Sequence, residues 1–485
     1  MTSLPCDSVL ALLKPEYRIE DLSHARELLR ETLRLDLTEQ GFLQASARGI
    51  AGSDPTHYDA VWVRDSVWGF LALKSRGEGE RARACLLALL SYFGTSAQRL
   101  RLASVIHEPL QASRPAGEMK VLHVRFDPWS KDMADVHAET GPQLWNHKQN
   151  DALALAFGAA IDALADGFID ESAVPLEGWD FLLRLPTYFD RLAFESMEDA
   201  GAWEEIERIN TSSIGLVTAA LEKLDQLLTI PRFRECWETR AKDRGIETEH
   251  EIAFDPPALR RAIDRGYARI LQQLPHESPA YLRSSPRYRE SDAALLALVY
   301  PGGLKRLDWL QASALLDSLQ PLIREVGVVR YLGDAYQSAN YWQGAVPETS
   351  TDPRTDDCSE PSAFSERARN LVPGTEAQWF FDSWISIAYA ELYRANPREG
   401  FFHKQVHHFN RALSQITGGT PRSPWLGADG KAVPAGAVPE SYNIVIDEKG
   451  ATFRPSPITP LNWAKASLSL ALDALERTLT VRMGN

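Results

Sequence analysis

The stretch Asn150-Asp151-Ala152-Leu153-Ala154-Leu155-Ala156-Phe157-Gly158-Ala159-Ala160-Ile161-Asp162-Ala163-Leu164-Ala165 decides how the chain is to be read. From Leu153 to Ala160 every position is apolar or glycine. A helix that is apolar all round has no solvent face, so it belongs between two other layers. Working outward, helical periodicity recurs over 19–35, 66–74, 80–93, 179–194, 212–228, 257–274, 291–299, 309–326, 379–395, 402–416 and 461–479. This many helices in one unbroken chain predict an all-α domain with a double ring of helices. Three long stretches, 112–140, 337–375 and 418–460, are rich in Gly, Pro, Asp and Trp and are expected to be loops. Loops of that length in a compact body are usually functional. The one good strand signal, 121–126, fits a hairpin arm. No fixed-length repeat, low-complexity tract or linker-like composition shift divides the chain.

The formal charge of -14 over 485 residues makes the average surface repel nucleic acid and anionic membrane. A neutral substrate such as a sugar is compatible with it. The N-terminal Met1-Thr2-Ser3-Leu4-Pro5-Cys6-Asp7 lacks a basic stretch followed by an apolar run, and no apolar run reaches membrane-spanning length. Cys6, Cys85, Cys236 and Cys358 are scattered, without metal-site spacing. The expectation is a cytoplasmic protein with reduced thiols, no cofactor and no metal. His403, His407 and His408 lie on one helix without an acidic partner on that face, which favours packing over metal binding.

Trp62, Trp129, Trp145, Trp203, Trp342, Trp425 and Trp463 lie in or beside the loops, interleaved with charged residues. A pyranose offers an apolar face and a rim of hydroxyls, which indole platforms and charged hydrogen-bonding groups match. Trp62-Val63-Arg64-Asp65-Ser66 reads either as a helix start capped by Asp65 or Ser66, or as an Arg-Asp clamp on adjacent hydroxyls. The run from Trp145 through Gln149, Asn150 and Asp151 carries more polar groups than a helix cap requires. In Trp203-Glu204-Glu205, a carboxyl packed on indole and beside a second carboxylate is pushed toward its protonated form, as a general acid requires. A solvated helix face is the alternative for that pair. Arg330 with Asp334 is either a turn around Gly333 or a second clamp, and Glu440 is a loop glutamate before the last helix.

Taken in order, these segments resemble glycoside hydrolase family 15, the glucoamylases, glucodextranases and related α-glucosidases. The resemblance runs from about Tyr58 to Leu479, through Trp62-Val63-Arg64-Asp65, Gln149-Asn150-Asp151, Trp203-Glu204-Glu205, Arg330-Tyr331 with Asp334, Pro439-Glu440-Ser441-Tyr442 and Leu461-Asn462-Trp463. It implies an (α/α)₆ barrel, a six-hairpin toroid with small β-hairpins at most. Glu204 is implied as general acid and Glu440 as general base in an inverting, exo-acting release of β-glucose from an α-glucoside. Trp62, Arg64, Asp65, Trp145, Gln149, Asn150, Asp151, Trp203, Glu205, Arg330, Asp334, Glu376, Trp379 and Trp463 are implied as substrate-binding. The expected organisation is one catalytic domain over 1–485, with 1–57 as a helical lead-in and no β-sandwich or starch-binding domain. The expected partner is a short oligosaccharide, disaccharide or small glucoside. Leu332-Gly333 and Ser441 depart from the family's Pro-Glu and Gln, and 343–375 resembles an insertion. Glu376 beside Trp379 is a rival base. The barrel of phosphorylase kinase α and β subunits is a more distant likeness, and it implies a non-catalytic binding or regulatory alternative.

Overall fold

In the computed structural model, residues 7–47, 57–112, 117–138, 141–246, 251–339, 341, 359–369, 371–420, 423–448 and 450–484 are described. Among them the helices are α1 (Asp7–Leu10), α2 (Ile19–Leu28), α3 (Val63–Ser75), α4 (Gly79–Phe93) and α5 (Ser96–His107). There follow α6 (Asn150–Ala165), α7 (Gly178–Arg191), α8 (Thr211–Leu227), α9 (Pro231–Asp243) and α10 (Pro256–Gln273). The rest are α11 (Trp309–Ser318), α12 (Pro361–Arg369), α13 (Asp382–Ala395), α14 (Glu399–Ser414) and α15 (Asn462–Gly484).

An inner ring closes through contacts α3–α6, α6–α8, α8 to the 3₁₀ turn Ala293–Leu298, that turn to α13, α13–α15 and α15–α3. Outside it pack α4 on α3, α7 on α6, α10 on α8, α11 on the 3₁₀ turn, α14 on α13 and α2 on α15. This is the expected (α/α)₆ barrel. The rings differ in sequence as the physics requires. In α6 every residue but Asp162 and Ala165 is buried. In the outer α10 burial recurs at Leu259, Ala262, Ile263, Gly266, Tyr267 and Ile270, the single stripe of a helix with one face in water.

Several boundaries differ from the periodicity. The helix expected over 19–35 stops at Leu28, and the helix expected over 291–299 is a 3₁₀ turn. α3 begins at Val63, so Arg64 and Asp65 lie inside its first turn and neither Asp65 nor Ser66 caps it. Helices α5 and α9 arise where none was expected. The loop expected over 418–460 contains β8 (Ser441–Asp447) and β9 (Gly450–Pro455), a hairpin joined by β5 (Gln378–Trp379). Of 121–126 only Arg125–Phe126 forms a strand, pairing with Val61–Trp62 so that Arg125 faces Trp62. His408 does find an acidic partner, Asp382 on α13, 2.7 Å away and shared with Arg411, so this histidine packs two helices together. Cys85 and Cys236 are free thiols, whereas Cys6, Cys358 and Trp342 lie outside the described residues.

Candidate active site

The inner helices present their N-termini to one end of the barrel, and the site lies there. Trp62, Arg64 and Asp65 open α3, Gln149 precedes α6, Glu204 lies in the turn before α8, Trp379 precedes α13 and Trp463 opens α15. All of these but Gln149 line a pocket enclosing about 820 Å³, mouth included. Trp463 forms part of its wall and packs 5.4 Å from Trp384, which stacks on Trp68 at 4.6 Å. That aromatic column ties together α3, α13 and α15.

Of the residues expected from sequence, Trp62, Arg64, Asp65, Trp145, Trp203, Glu204, Arg330, Trp379, Glu440 and Trp463 line the pocket. Gln149, Asn150, Asp151, Glu205, Asp334 and Glu376 stand behind its wall. Asp151 and Gln149 take the Arg64 guanidinium at 2.7 and 2.9 Å. Asn150 caps nothing in the pocket: its backbone N–H donates to Asp199 at 3.0 Å. Asp334 grips Arg330 through two bonds of 2.6 and 2.7 Å, and Glu205 adds a third at 2.9 Å. Glu376 accepts the Gly333 backbone N–H at 3.0 Å. The two arginines are thus fixed from behind by buried carboxylates, which leaves their forward faces for the pocket.

Adjacent glutamates diverge because the chain turns sharply between them. Gly201–Trp203 is a 3₁₀ turn, and Glu204 closes it in the left-handed region at φ 58°. Gly201 is itself at φ +61°, and a Cβ there would meet the Asn210 amide at 2.6 Å. Left-handed backbone costs a side-chain-bearing residue about 1 kcal/mol or more and persists only where surroundings impose it. The outcome is that Glu204 faces the pocket while Glu205 faces Arg208, Arg289 and Arg330.

Glu204 accepts hydrogen bonds from the Trp62 indole at 3.2 Å and Arg64 at 3.4 Å. Burial raises its pKa above the ordinary carboxyl value, against the opposing pull of Arg64, Arg125 and the Trp62 bond. Asp65 is pushed up to about 7, chiefly by burial and further by Glu204 and Glu440, although Arg64 opposes this. Glu440 accepts from the Tyr58 hydroxyl at 2.5 Å, from the Gln337 amide and, at 3.4 Å, from Ser456. Ser441 donates to the oxygen of that same Gln337 amide at 2.8 Å, so a glutamine still serves Glu440 although none is its neighbour in sequence.

Tyr58, Gln143, Tyr336 and Arg367 also line the pocket without having been singled out as site residues. Tyr58 precedes the Trp62 motif by one helical turn's spacing, and Tyr336 follows Asp334 by two, which is faint signal; Arg367 belongs to the expected insertion and carried none. Away from the pocket, His123, Asp135 and His147 bring donor atoms within 4.8 Å of one another. The imidazoles stack face to face at 3.7 Å, and His123 bonds to Asp135 and to the Met119 carbonyl. Arg101 also approaches the Asp135 carboxylate, at 3.9 Å, so the group is already internally bonded.

Curated relatives include an uncharacterized lipoprotein, YgeQ, of Escherichia coli (strain K12), 37% identical over 199 residues that cover 39% of this chain and 74% of that protein. A putative protein of the same organism, YgeP, is 34% identical over 100 residues, 20% of this chain and 92% of that one. Among solved structures, a wild-type glycosidase superposes with TM-score 0.56 at 14% identity, over 95% of this chain and 99% of that one. The glucoamylase from Saccharomycopsis fibuligera gives 0.53 at 14% identity, over 96% and 97%. These structural likenesses carry the fold. The sequence profile described as glycosyl hydrolases family 15 matches residues 24–435, most of the barrel and its site loops, and the chain belongs to that family.

Proposed function

We propose that the protein is an exo-acting, inverting α-glucoside hydrolase with Glu204 as general acid and Glu440 as general base. The observation that carries this reading is the pair's contrasting environment on one pocket. Glu204 is a buried carboxyl with a raised pKa, as an acid that stays protonated near neutrality requires. Glu440 sits among hydroxyl and amide donors, which stabilise a carboxylate. Between them stand Trp62, bonded to Glu204, and Tyr58, bonded to Glu440, with ring centroids 5.4 Å apart. Inversion needs two separated carboxyls with a water on the far side of the sugar, and each of these two is held by its own partner, Glu204 by Trp62 and Glu440 by Tyr58.

The glucosidic oxygen takes its proton from Glu204 as the bond to the anomeric carbon breaks. Water attacks the opposite face and loses its proton to Glu440. Arg64, Asp65 and Arg330 hold the ring's hydroxyls, and the indoles cover its apolar faces. The reading includes one catalytic domain over the whole chain, short soluble substrates and action in the cytoplasm. Anomer-resolved NMR on fresh product tests it: β-glucose is expected first, and initial α-glucose refutes inversion. Glu204→Gln and Glu440→Gln are each expected to cut turnover by about 10³-fold or more, as for loss of a proton-transfer group acting with others. A wild type inert on a panel of α-linked disaccharides and aryl α-glucosides ends the hydrolase reading.

A further inference from the structure

We infer that Arg125 is a positioning residue for the acid: wedged between Trp62 and Trp145, it aims the Trp62 indole N–H at Glu204 and stiffens the indole wall that meets the sugar. The inference rests on the hydrolase reading above.

Strand pairing sets Arg125 directly across from Trp62, and the side chain is 1% exposed. Its guanidinium carbon lies 4.8 Å from the Trp62 ring centre and 4.0 Å from that of Trp145. The two indoles are themselves edge to face at 6.4 Å. Gln143, another wall residue, accepts from the guanidinium at 2.9 Å and fixes its rotation. A planar cation that covers two indoles does what no aliphatic side chain can: it holds both rings by their faces while leaving their N–H edges free to point elsewhere. One of those edges, on Trp62, donates to Glu204 at 3.2 Å. Arg125 does not itself line the pocket, so it acts through these rings and through its charge.

The charge reaches Glu204. That carboxyl is faced by Arg64 and Asp65 from α3, by the Trp62 indole from the strand Val61–Trp62 and by Arg125 from the strand Arg125–Phe126. Arg64, although paired with Asp151, pulls in the same direction and more strongly, and Arg125 adds to it. Arg125 faces His147, a histidine held well below its ordinary pKa by burial and by neighbouring cations, which adds no compensating charge. Arg125 therefore lowers the pH at which Glu204 gives up its proton, against the burial that raises it.

The test is a pH profile of kcat/KM for Arg125→Gln and Arg125→Lys with a chromogenic α-glucoside, after circular dichroism confirms folding. The basic limb reports the acid of the free enzyme. Without the cation, Glu204 holds its proton to higher pH, so in Arg125→Gln the limb moves up by at least about half a unit. KM rises at least about fivefold as Trp145 loosens, a modest share of what misplaced contacts cost. Arg125→Lys returns the limb to its wild-type place but not KM, since it restores charge without the planar stack. Titration with maltose followed by tryptophan fluorescence reads the same wall without turnover, and Arg125→Gln weakens its binding. A limb that stays put in Arg125→Gln, or moves equally in Arg125→Lys, overturns the inference, as does unchanged maltose binding. If Arg125→Gln does not fold, Gln143→Leu is expected to raise KM and leave the limb in place, and an unchanged KM there overturns it too. Loss of activity on every α-glucoside in the wild type would count against the hydrolase reading, whereas the maltose titration still decides the role of Arg125.

Discussion

Replacing Arg330 by Met should expose how strongly the pocket depends on charges held behind its wall. Arg330 gives two bonds to Asp334 and one to Glu205, at 2.6, 2.7 and 2.9 Å. Both acceptors are buried, Asp334 at 0% exposure. Glu205 keeps the Tyr331 hydroxyl at 2.6 Å and its ion pairs with Arg208 and Arg289. Among the described residues Asp334 keeps one hydrogen bond, from the Tyr336 backbone N–H at 3.0 Å. The loss therefore falls on Asp334, and removing one partner of a buried pair typically costs about 3–5 kcal/mol. Over 485 residues the unfolding entropy is on the order of 1 kcal/mol/K, so Tm should drop by about 3–5 °C. The deficit carries a pH signature. Burial already raises the pKa of Asp334 and Arg330 opposes it. Without Arg330 the carboxyl rises further and takes up a proton in the folded state. A carboxyl raised above its unfolded value gives a folded state that binds more protons, so stability is regained as pH falls. Differential scanning calorimetry at pH 8 and pH 5 should show a larger deficit at pH 8. Arg330→Met combined with Asp334→Leu should recover part of it, because the orphaned charge is gone. A deficit under about 1 °C, or one equal at both pH values, would refute the reasoning.

Three further outcomes follow from the site's geometry. Glu376→Gln should leave turnover within about twofold, because its carboxyl holds the Gly333 N–H and lies off the pocket, and an amide oxygen can accept the same bond; a loss as large as that of Glu440→Gln would make Glu376 the base. Asp65→Asn should stabilise the fold at pH 8 relative to pH 5, since a carboxyl pushed up to about 7 penalises the folded state once it ionises; a Tm difference independent of pH contradicts this, and activity should fall together with the stability gain. Gly201→Ala should lower Tm and turnover together, because it strains a φ of +61° and drives the Asn210 amide away; the backbone penalty alone is about 1 kcal/mol, and unchanged kinetics would show that the turn does not position Glu204.

Helical periodicity alone calls for the ring architecture. Helices apolar all round, such as α6, have only one place to go, and the striped outer helices cover them. The order of the motifs, through their resemblance to glycoside hydrolase family 15, also grouped Trp62, Arg64, Glu204, Arg330 and Glu440 in one site, whereas each motif alone reads equally as a cap, a turn or a solvated face. The helices α5 and α9 were not legible, because their apolar spacing is weak and packing supplies what propensity lacks. Which polar residues face the pocket and which stand behind its wall depends on contacts far apart in the chain. Glu204 and Glu205 are neighbours in sequence, and a left-handed turn imposed by Gly201 and Asn210 sends them to opposite sides of the wall. The sequence preferred Glu440 to Glu376 by its place before the last helix, and the tertiary structure adds that only the former of these two lines the pocket. Each lies two residues before a Gln378↔Tyr442 partner, and antiparallel pairing makes the residues preceding β5 and β8 leave opposite ends of their ladder. One glutamate therefore reaches the pocket and the other caps a loop, a distinction set by strand direction and register that no local pattern of residues contains.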